Sequence, residues 1–224
     1  MVSQYCRNLP YLMYCYFYLK EAPHARKTCS HYYPYHDLLA QRWSPRAFDA
    51  KRTIPREQVL ALMEAARWAP SCFGDQPWRF IVCDRAHNPE SWQHAFDGLA
   101  EGNQIWVKDT PLLIVSGADH RFRHNGKDNR WAQHDTGAAS MSICLQAVAL
   151  GLAAHQMGGF DAQKLKVSLA IPEHITLMSV IAVGYQATAE TLATADLQRQ
   201  ETAARQRQAL GAVCFAGTWD KPLK

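Results

Sequence analysis

The sequence predicts a mixed α+β domain. Three observations point there. Short apolar runs occur at Trp78–Val82, Leu112–Val115 and Ser179–Gly184, each of strand length and bounded by turn residues. Between them lie segments with helical spacing, at Ile54–Trp68, Ser91–Asn103 and Asp135–Leu152. The chain has 224 residues, 48% of them hydrophobic, enough for one sizeable core or at most two small ones.

Residues 1–34 differ from the rest. Leu9–Leu19 is apolar and Tyr-rich but much shorter than the ~20 residues of a bilayer span. Its flanks are poor for a signal peptide, with Arg7 as the only nearby base before it. The expectation is a loosely attached N-terminal arm over 1–34 and a functional domain over 35–224. The domain opens at Tyr35–Ala40 and continues into Gln41-Arg42-Trp43-Ser44-Pro45-Arg46-Ala47-Phe48. In an extended segment Arg42, Ser44 and Arg46 share one side. Two guanidinium forks and a hydroxyl suit an anionic group; a solvated basic edge is the alternative.

Pro55 belongs in the first turn of the next helix, where its missing N–H costs nothing. Val59, Leu62, Met63 and Ala66 keep its apolar stripe. Pro70 ends it near Trp68. The loop Ala69–Pro77 then leads into the Trp78–Val82 strand, and loops on rigid flanks are where ligand groups are gripped. Ala118–Arg130 is polar and reads as an exposed, mobile connection. Asp135–Leu152 is apolar or small almost all round and should be buried on most sides, with Gly151 at its C-terminal end. Gln156-Met157-Gly158-Gly159-Phe160-Asp161 reads as a loop whose glycines permit close backbone approach to a ligand; a simple turn is the alternative. Ala162–Leu169 is a short helix stopped by Ile171-Pro172, and the tail carries Arg205 and Arg207.

The charge is mild, 24 Lys+Arg against 20 Asp+Glu, and no basic run marks a nucleic-acid surface. The seven cysteines are irregularly spaced, so a reducing compartment is expected; Cys83 and Cys144 read as buried thiols. His24, His31 and His36 lack the spacing of a structural zinc site, and no metal is expected. No Walker loop or G-x-G-x-x-G occurs.

Four segments, in order, resemble the nitroreductase family of FMN-dependent oxidoreductases: Arg42–Phe48, Ala69-Pro70-Ser71 through Gln76-Pro77-Trp78, Gly158-Gly159-Phe160-Asp161, and the tail around Arg205 and Arg207. Val183-Gly184-Tyr185 is similar too. The resemblance covers roughly Tyr35 to Pro222. It implies a three-layer α+β fold with a largely antiparallel central sheet flanked by helices, Asp135–Leu152 running through the middle, and an intertwined homodimer with FMN at the interface. It also implies a cytoplasmic enzyme that takes hydride from NADH or NADPH through flavin N5. The electrons pass to a nitroaromatic, quinone or related acceptor in a ping-pong scheme, with no membrane or nucleic-acid partner.

By the same resemblance Arg42 and Ser44, with Trp43 between them, hold the FMN phosphate and ribityl chain. Arg46 lies beside the pyrimidine edge of the ring and tunes it. Pro70, Ser71 and Cys72 reach FMN from the partner subunit, and Asn103 bonds the ring region. Gln156, Met157, Gly158 and Gly159 cover the flavin face, and Arg205, with Arg207, meets the phosphate. Gly74 departs from the pattern, since many members have Asn there; Asp75 beside it is the candidate replacement. No side-chain acid, base or nucleophile is implied, because the cofactor carries the redox step. The competing readings are a specialised branch of the family (flavin destruction or reductive dehalogenation), a flavin-binding protein without turnover, and a heme or metal protein using the ten histidines.

Overall fold

The computed structural model describes residues 35–223; the expectations for the arm, with His24 and His31, lie outside them. In chain order the helices are α1 (Asp37–Gln41), α2 (Arg56–Arg67), α3 (Pro89–Asp97), α4 (Glu101–Val107), α5 (Ala132–Ala149), α6 (Ala162–Ser168), α7 (Ala195–Thr202) and α8 (Leu210–Val213). The strands are β1 (Trp78–Asp84), β2 (Leu112–Asp119), β3 (Ala153–Met157) and β4 (Ile175–Gly184). They form one sheet in the order β1-β2-β4-β3, antiparallel at every pairing.

Alternation along the strands divides the core in two. Leu113, Val115, Val180 and Ala182 face Trp92 and Ala95 of α3, Trp106 of α4 and Leu165 of α6. Leu112, Ile114, Ile181 and Val183 face Val59, Leu62 and Ala66 of α2 and Ile143 and Ala147 of α5. The three-layer α+β architecture with an antiparallel sheet is therefore present. Cys83 and Cys144 are buried as expected, at 0% and 3% exposure.

Several boundaries differ from expectation for physical reasons. The strands run longer, to Asp84 and Asp119, because Trp78–Asp84 keeps register with Ala118–Leu112 through its whole length. β3 was not anticipated: Gln156 and Met157 belong to a strand, paired with Ile181 and Val180, and the loop begins only at Gly158. The helix expected over Ser91–Asn103 is two helices. Gly98 ends α3, and a methyl group there would come within 2.3 Å of Leu165 Cδ2 in the core. Asn103 consequently lies in α4. Pro55 stands one place before α2, as its N-cap. α7 in the tail was not anticipated.

The segment after β2 is a hydrogen-bonded hairpin rather than a featureless connection. Arg121 pairs with Asp128, and the Asn129 N–H donates to His120 O at 2.6 Å. α5 also differs. Its buried stripe is Ala132, Asp135, Thr136, Ala139, Ser140, Ile143, Cys144 and Ala147. Ala138, Met141, Leu145 and Val148 on the other side are only half-buried, because one chain covers one side of the helix. Gly151 follows it at φ 73°, turning the chain into β3.

Candidate functional site

The site is built on the β3 edge of the sheet. The extended segment Arg42–Phe48 is tied to the backbone beyond β4: the Ala187 N–H donates to Ala47 O at 3.0 Å and the Asp49 N–H to Tyr185 O at 2.9 Å. Pro45 and Ala47 are buried and Arg46 between them is half-buried, the alternation expected of an extended chain, whereas Arg42, Trp43 and Ser44 are all half-buried. Trp43 lines a small crevice with Val148, Leu152 and Ala153.

Arg205 folds back onto this segment. Its guanidinium donates to Arg42 O at 2.8 Å and to Ala40 O at 2.5 Å. That uses two of its five N–H groups. Its Nε is buried with no partner among the described residues. Burial lowers the pKa of Arg42, and the nearby Arg205 and Arg207 lower it further. Among the described residues no carboxylate pairs with Arg42, Arg205 or Arg207. Three cations thus converge where unused donors outnumber acceptors. The arrangement fits a phosphate, whose oxygens accept charge-assisted bonds from such forks.

β3 continues the site. Gln156 is exposed, and its amide donates to Cys144 Sγ at 3.4 Å. Met157 is 2% exposed and packs in the core, so only its backbone is offered to a ligand. Beyond it, Gly158 has open space where a Cβ would lie. Gly159 O accepts from Asn103 Nδ2 at 3.0 Å and from the Ala100 N–H at 3.0 Å. A Cβ on Gly159 would lie 2.9 Å from Asn103 Nδ2, so glycine is what allows the α4 amide so close. Arg42, Arg46, Gln156, Gly158, Gly159, Asn103 and Arg205 therefore belong to one continuous edge.

Pro70, Ser71, Cys72 and Gly74 do not join them within one chain. The Cys72 N–H donates to the buried Asp135 carboxylate at 2.9 Å, near the start of α5. Arg42 instead lies near Cys144, nine residues further along, or about 13 Å at 1.5 Å per residue. Ser71 Oγ accepts from the Gln76 N–H at 3.0 Å. Gly74 has φ 63° and open space around it. Asp75 does not replace the missing side chain there. It is 4% exposed and committed to the hairpin, accepting from the Arg123 N–H at 2.9 Å and from Asn129 Nδ2 at 3.3 Å.

Two residues of this edge were missed by sequence reasoning. The His155 ring donates from Nδ1 to Pro45 O at 2.9 Å and stacks on Trp106 at 4.7 Å. Burial, with Arg46 and Arg42 nearby, lowers its pKa to about 4 against the pull of that bond. The Glu201 carboxylate accepts from the Arg46 N–H at 2.9 and 3.1 Å and from the Ala47 N–H at 3.1 Å. His36 caps α1, its Nδ1 accepting from the Leu38 N–H. Among the described residues no His, Cys, Asp or Glu cluster is placed to hold a metal, and no helix is long and apolar enough to cross a membrane.

The Nitroreductase family model matches residues 39–185, most of the described chain. The chain belongs to the nitroreductase family. A solved structure described as an oxidoreductase containing FMN is 34% identical, covering 87% of this nitroreductase and 98% of that chain, with a TM-score of 0.81. A Methanothermobacter thermautotrophicus protein, provisionally named NADH dehydrogenase/NAD(P)H nitroreductase, is 32% identical over 150 residues, 65% of this chain and 73% of its own. A provisionally assigned nitroreductase from Desulfovibrio desulfuricans, solved in complex with FMN, shares the fold. It is 24% identical with a TM-score of 0.64, covering 82% of this chain and 96% of that one.

Proposed function

We infer that this nitroreductase is an FMN-dependent NAD(P)H oxidoreductase. The observation that carries the reading is the convergence of Arg42, Arg205 and Arg207, without a carboxylate partner among the described residues, near Cys144, which Gln156 of β3 also reaches. The FMN of the 34% identical structure supports it. Bound FMN supplies hydride chemistry, taking reducing equivalents from NADH or NADPH and delivering them to a nitroaromatic, quinone or related small acceptor in ping-pong order.

The chain's residues do the rest. Arg42, Arg205 and Arg207 neutralise the phosphate, with Ser44 and Trp43 along the ribityl side. The buried, unpartnered Nε of Arg205 is a donor ready for it. Arg46 would supply a cation at the pyrimidine edge of bound FMN, favouring the charged reduced ring over the neutral oxidised one. Asn103 and the backbone of Gln156, Met157, Gly158 and Gly159 border the ring.

The enzyme works as a homodimer. From Thr136 to Gly151, α5 carries no charged side chain, and Ala138, Met141, Leu145 and Val148 form its half-exposed face. Two copies of α5 crossing antiparallel between Ala138 and Met141 would bring the loop at one copy's Asp135 beside the other's Cys144, in the self-complementary manner of a two-fold contact. The loop Pro70–Gly74 then completes the partner's site. Residues 35–224 hold the whole flavin unit, and a cytoplasmic setting accompanies this reading.

Purified protein titrated with FMN should quench flavin fluorescence and oxidise NADH or NADPH with menadione as acceptor. Light scattering should give twice the 25.3 kDa chain mass, and Leu145→Glu should give the single mass and a weaker FMN site. Absence of flavin binding would overturn the cofactor assignment; a monomer with a tight FMN site would overturn the shared one. Deletion of residues 1–33 should leave flavin content and turnover unchanged.

A further inference from the structure

The guanidinium of Arg46 makes no hydrogen bond or ion pair among the described residues, yet the backbone it springs from is tightly held. Pro45 O accepts from His155 Nδ1 at 2.9 Å. The N–H at the other end of the same peptide bond donates to Glu201 at 2.9 and 3.1 Å, and the next N–H, of Ala47, donates to Glu201 at 3.1 Å. Because the peptide unit is planar, gripping both its ends fixes its orientation. Proline removes freedom on the preceding side by locking φ near −65°.

The grip itself is braced. His155 stacks on Trp106 at 4.7 Å, and Trp106 stacks on Phe48 at 6.2 Å. Glu201 is 5% exposed and arrives from α7.

We propose that His155 and Glu201 are positioning residues that clamp the Pro45–Arg46 peptide from its two ends and thereby aim Arg46 at the flavin. The inference rests on the FMN reading above. It concerns neither residue's contact with the cofactor: both act through Arg46. Burial keeps His155 neutral near pH 7, so replacing it removes a hydrogen bond and no charge. A change in flavin potential would therefore report displacement of Arg46.

The test is a potentiometric titration of FMN-loaded protein. Arg46→Gln should weaken reduced FMN binding about tenfold relative to oxidised, a fall of about 30 mV for a two-electron couple. His155→Phe, which keeps a ring on Trp106 but no donor, should lower the potential in the same direction. His155→Asn, whose amide can reproduce the Nδ1 donor, should restore the wild-type value. In the Arg46→Gln background His155→Phe should add nothing, since both act through one group. Glu201→Asp, which withdraws the carboxylate by one methylene, should give the same fall by an independent route, and serves where His155→Phe yields no folded protein.

A wild-type potential in both His155→Phe and Glu201→Asp, with a lowered one in Arg46→Gln, would overturn the clamp alone. So would a fall caused by His155→Phe that persists undiminished in the Arg46→Gln background. Failure of the wild-type protein to take up FMN, or an unmoved potential in Arg46→Gln, would overturn the underlying assignment and the clamp with it.

Discussion

The two ends of α5 are both polar, and they differ in how their polar groups are satisfied. At the start of the helix, Asp135 accepts from the Cys72 N–H, and Asp75 nearby accepts from Arg123 and Asn129. Each buried carboxylate there has its donors supplied by the chain. Towards the other end, Arg42, Arg205 and Arg207 crowd together, and a buried Arg205 Nε has no acceptor among the described residues. Buried polar groups are normally paired. A region whose donors are matched internally is scaffold; the surplus of cationic donors at the other end is what the proposed phosphate site rests on.

The sharpest way to probe the arginine end is pH. His155 has a pKa near 4 there, below its ordinary 6.5. Between those values the unfolded chain takes up a proton that the folded chain refuses. The stability from keeping His155 neutral is thus complete above pH 6.5 and lost as pH falls towards 4. The shift corresponds to on the order of 3 kcal/mol. Urea unfolding at pH 7 and pH 4.5 should show this slope in the wild type and a shallower one in His155→Asn. Equal slopes would mean that the ring is not held neutral.

Next in size is the loss of a phosphate contact. Arg42→Ala should weaken FMN binding about ten- to a hundredfold, as for a charge-assisted bond of roughly 1.5–3 kcal/mol. Unfolding free energy should stay within about 0.5 kcal/mol, because Arg205 bonds the backbone of residue 42 and not its side chain. Asp75→Ala should do the converse. It strands the buried Asn129 amide and should cost roughly 1–3 kcal/mol of stability, with a much smaller change in FMN affinity. If the two variants gave the same pattern, the contrast between the ends would collapse.

The smallest effect belongs to Gly159→Ala. Its methyl group would press on Asn103 Nδ2, a side chain able to give by a few tenths of an ångström. A shift in the bound flavin's visible spectrum with less than about 1 kcal/mol of destabilisation is expected. An unchanged spectrum would place Asn103 away from the ring.

Much of this was legible in the sequence because the signals were local. The apolar runs at Trp78–Val82 and Leu112–Val115 are strands since their alternating side chains enter the two core layers. The Arg42-Ser44-Arg46 alternation is matched by burial only at its end, where half-buried Arg46 stands between the buried Pro45 and Ala47; half-buried Trp43 breaks it before that. β3 was not legible: Ala153-Ala154-His155-Gln156-Met157 has little strand propensity, and pairing with β4 makes it a strand. Asp75 was misjudged by proximity to Gly74, since nothing local reveals that residues 121–129 fold over it. Glu201 had no signal at all, because its meaning lies in two amides 155 and 154 residues away.

That distance has a consequence for biogenesis. Arg46 and Ala47 are held by Glu201, and the carbonyls of Ala40 and Arg42 by Arg205, across separations of 154 to 165 residues. A ribosome makes residues 40–47 more than 150 residues before the residues that secure them. Until residues 201–205 emerge, that segment lacks its anchors, and closing so long a loop is entropically costly and slow. A chain halted before Glu201 therefore lacks the carboxylate and the guanidinium that hold residues 40–47 in place.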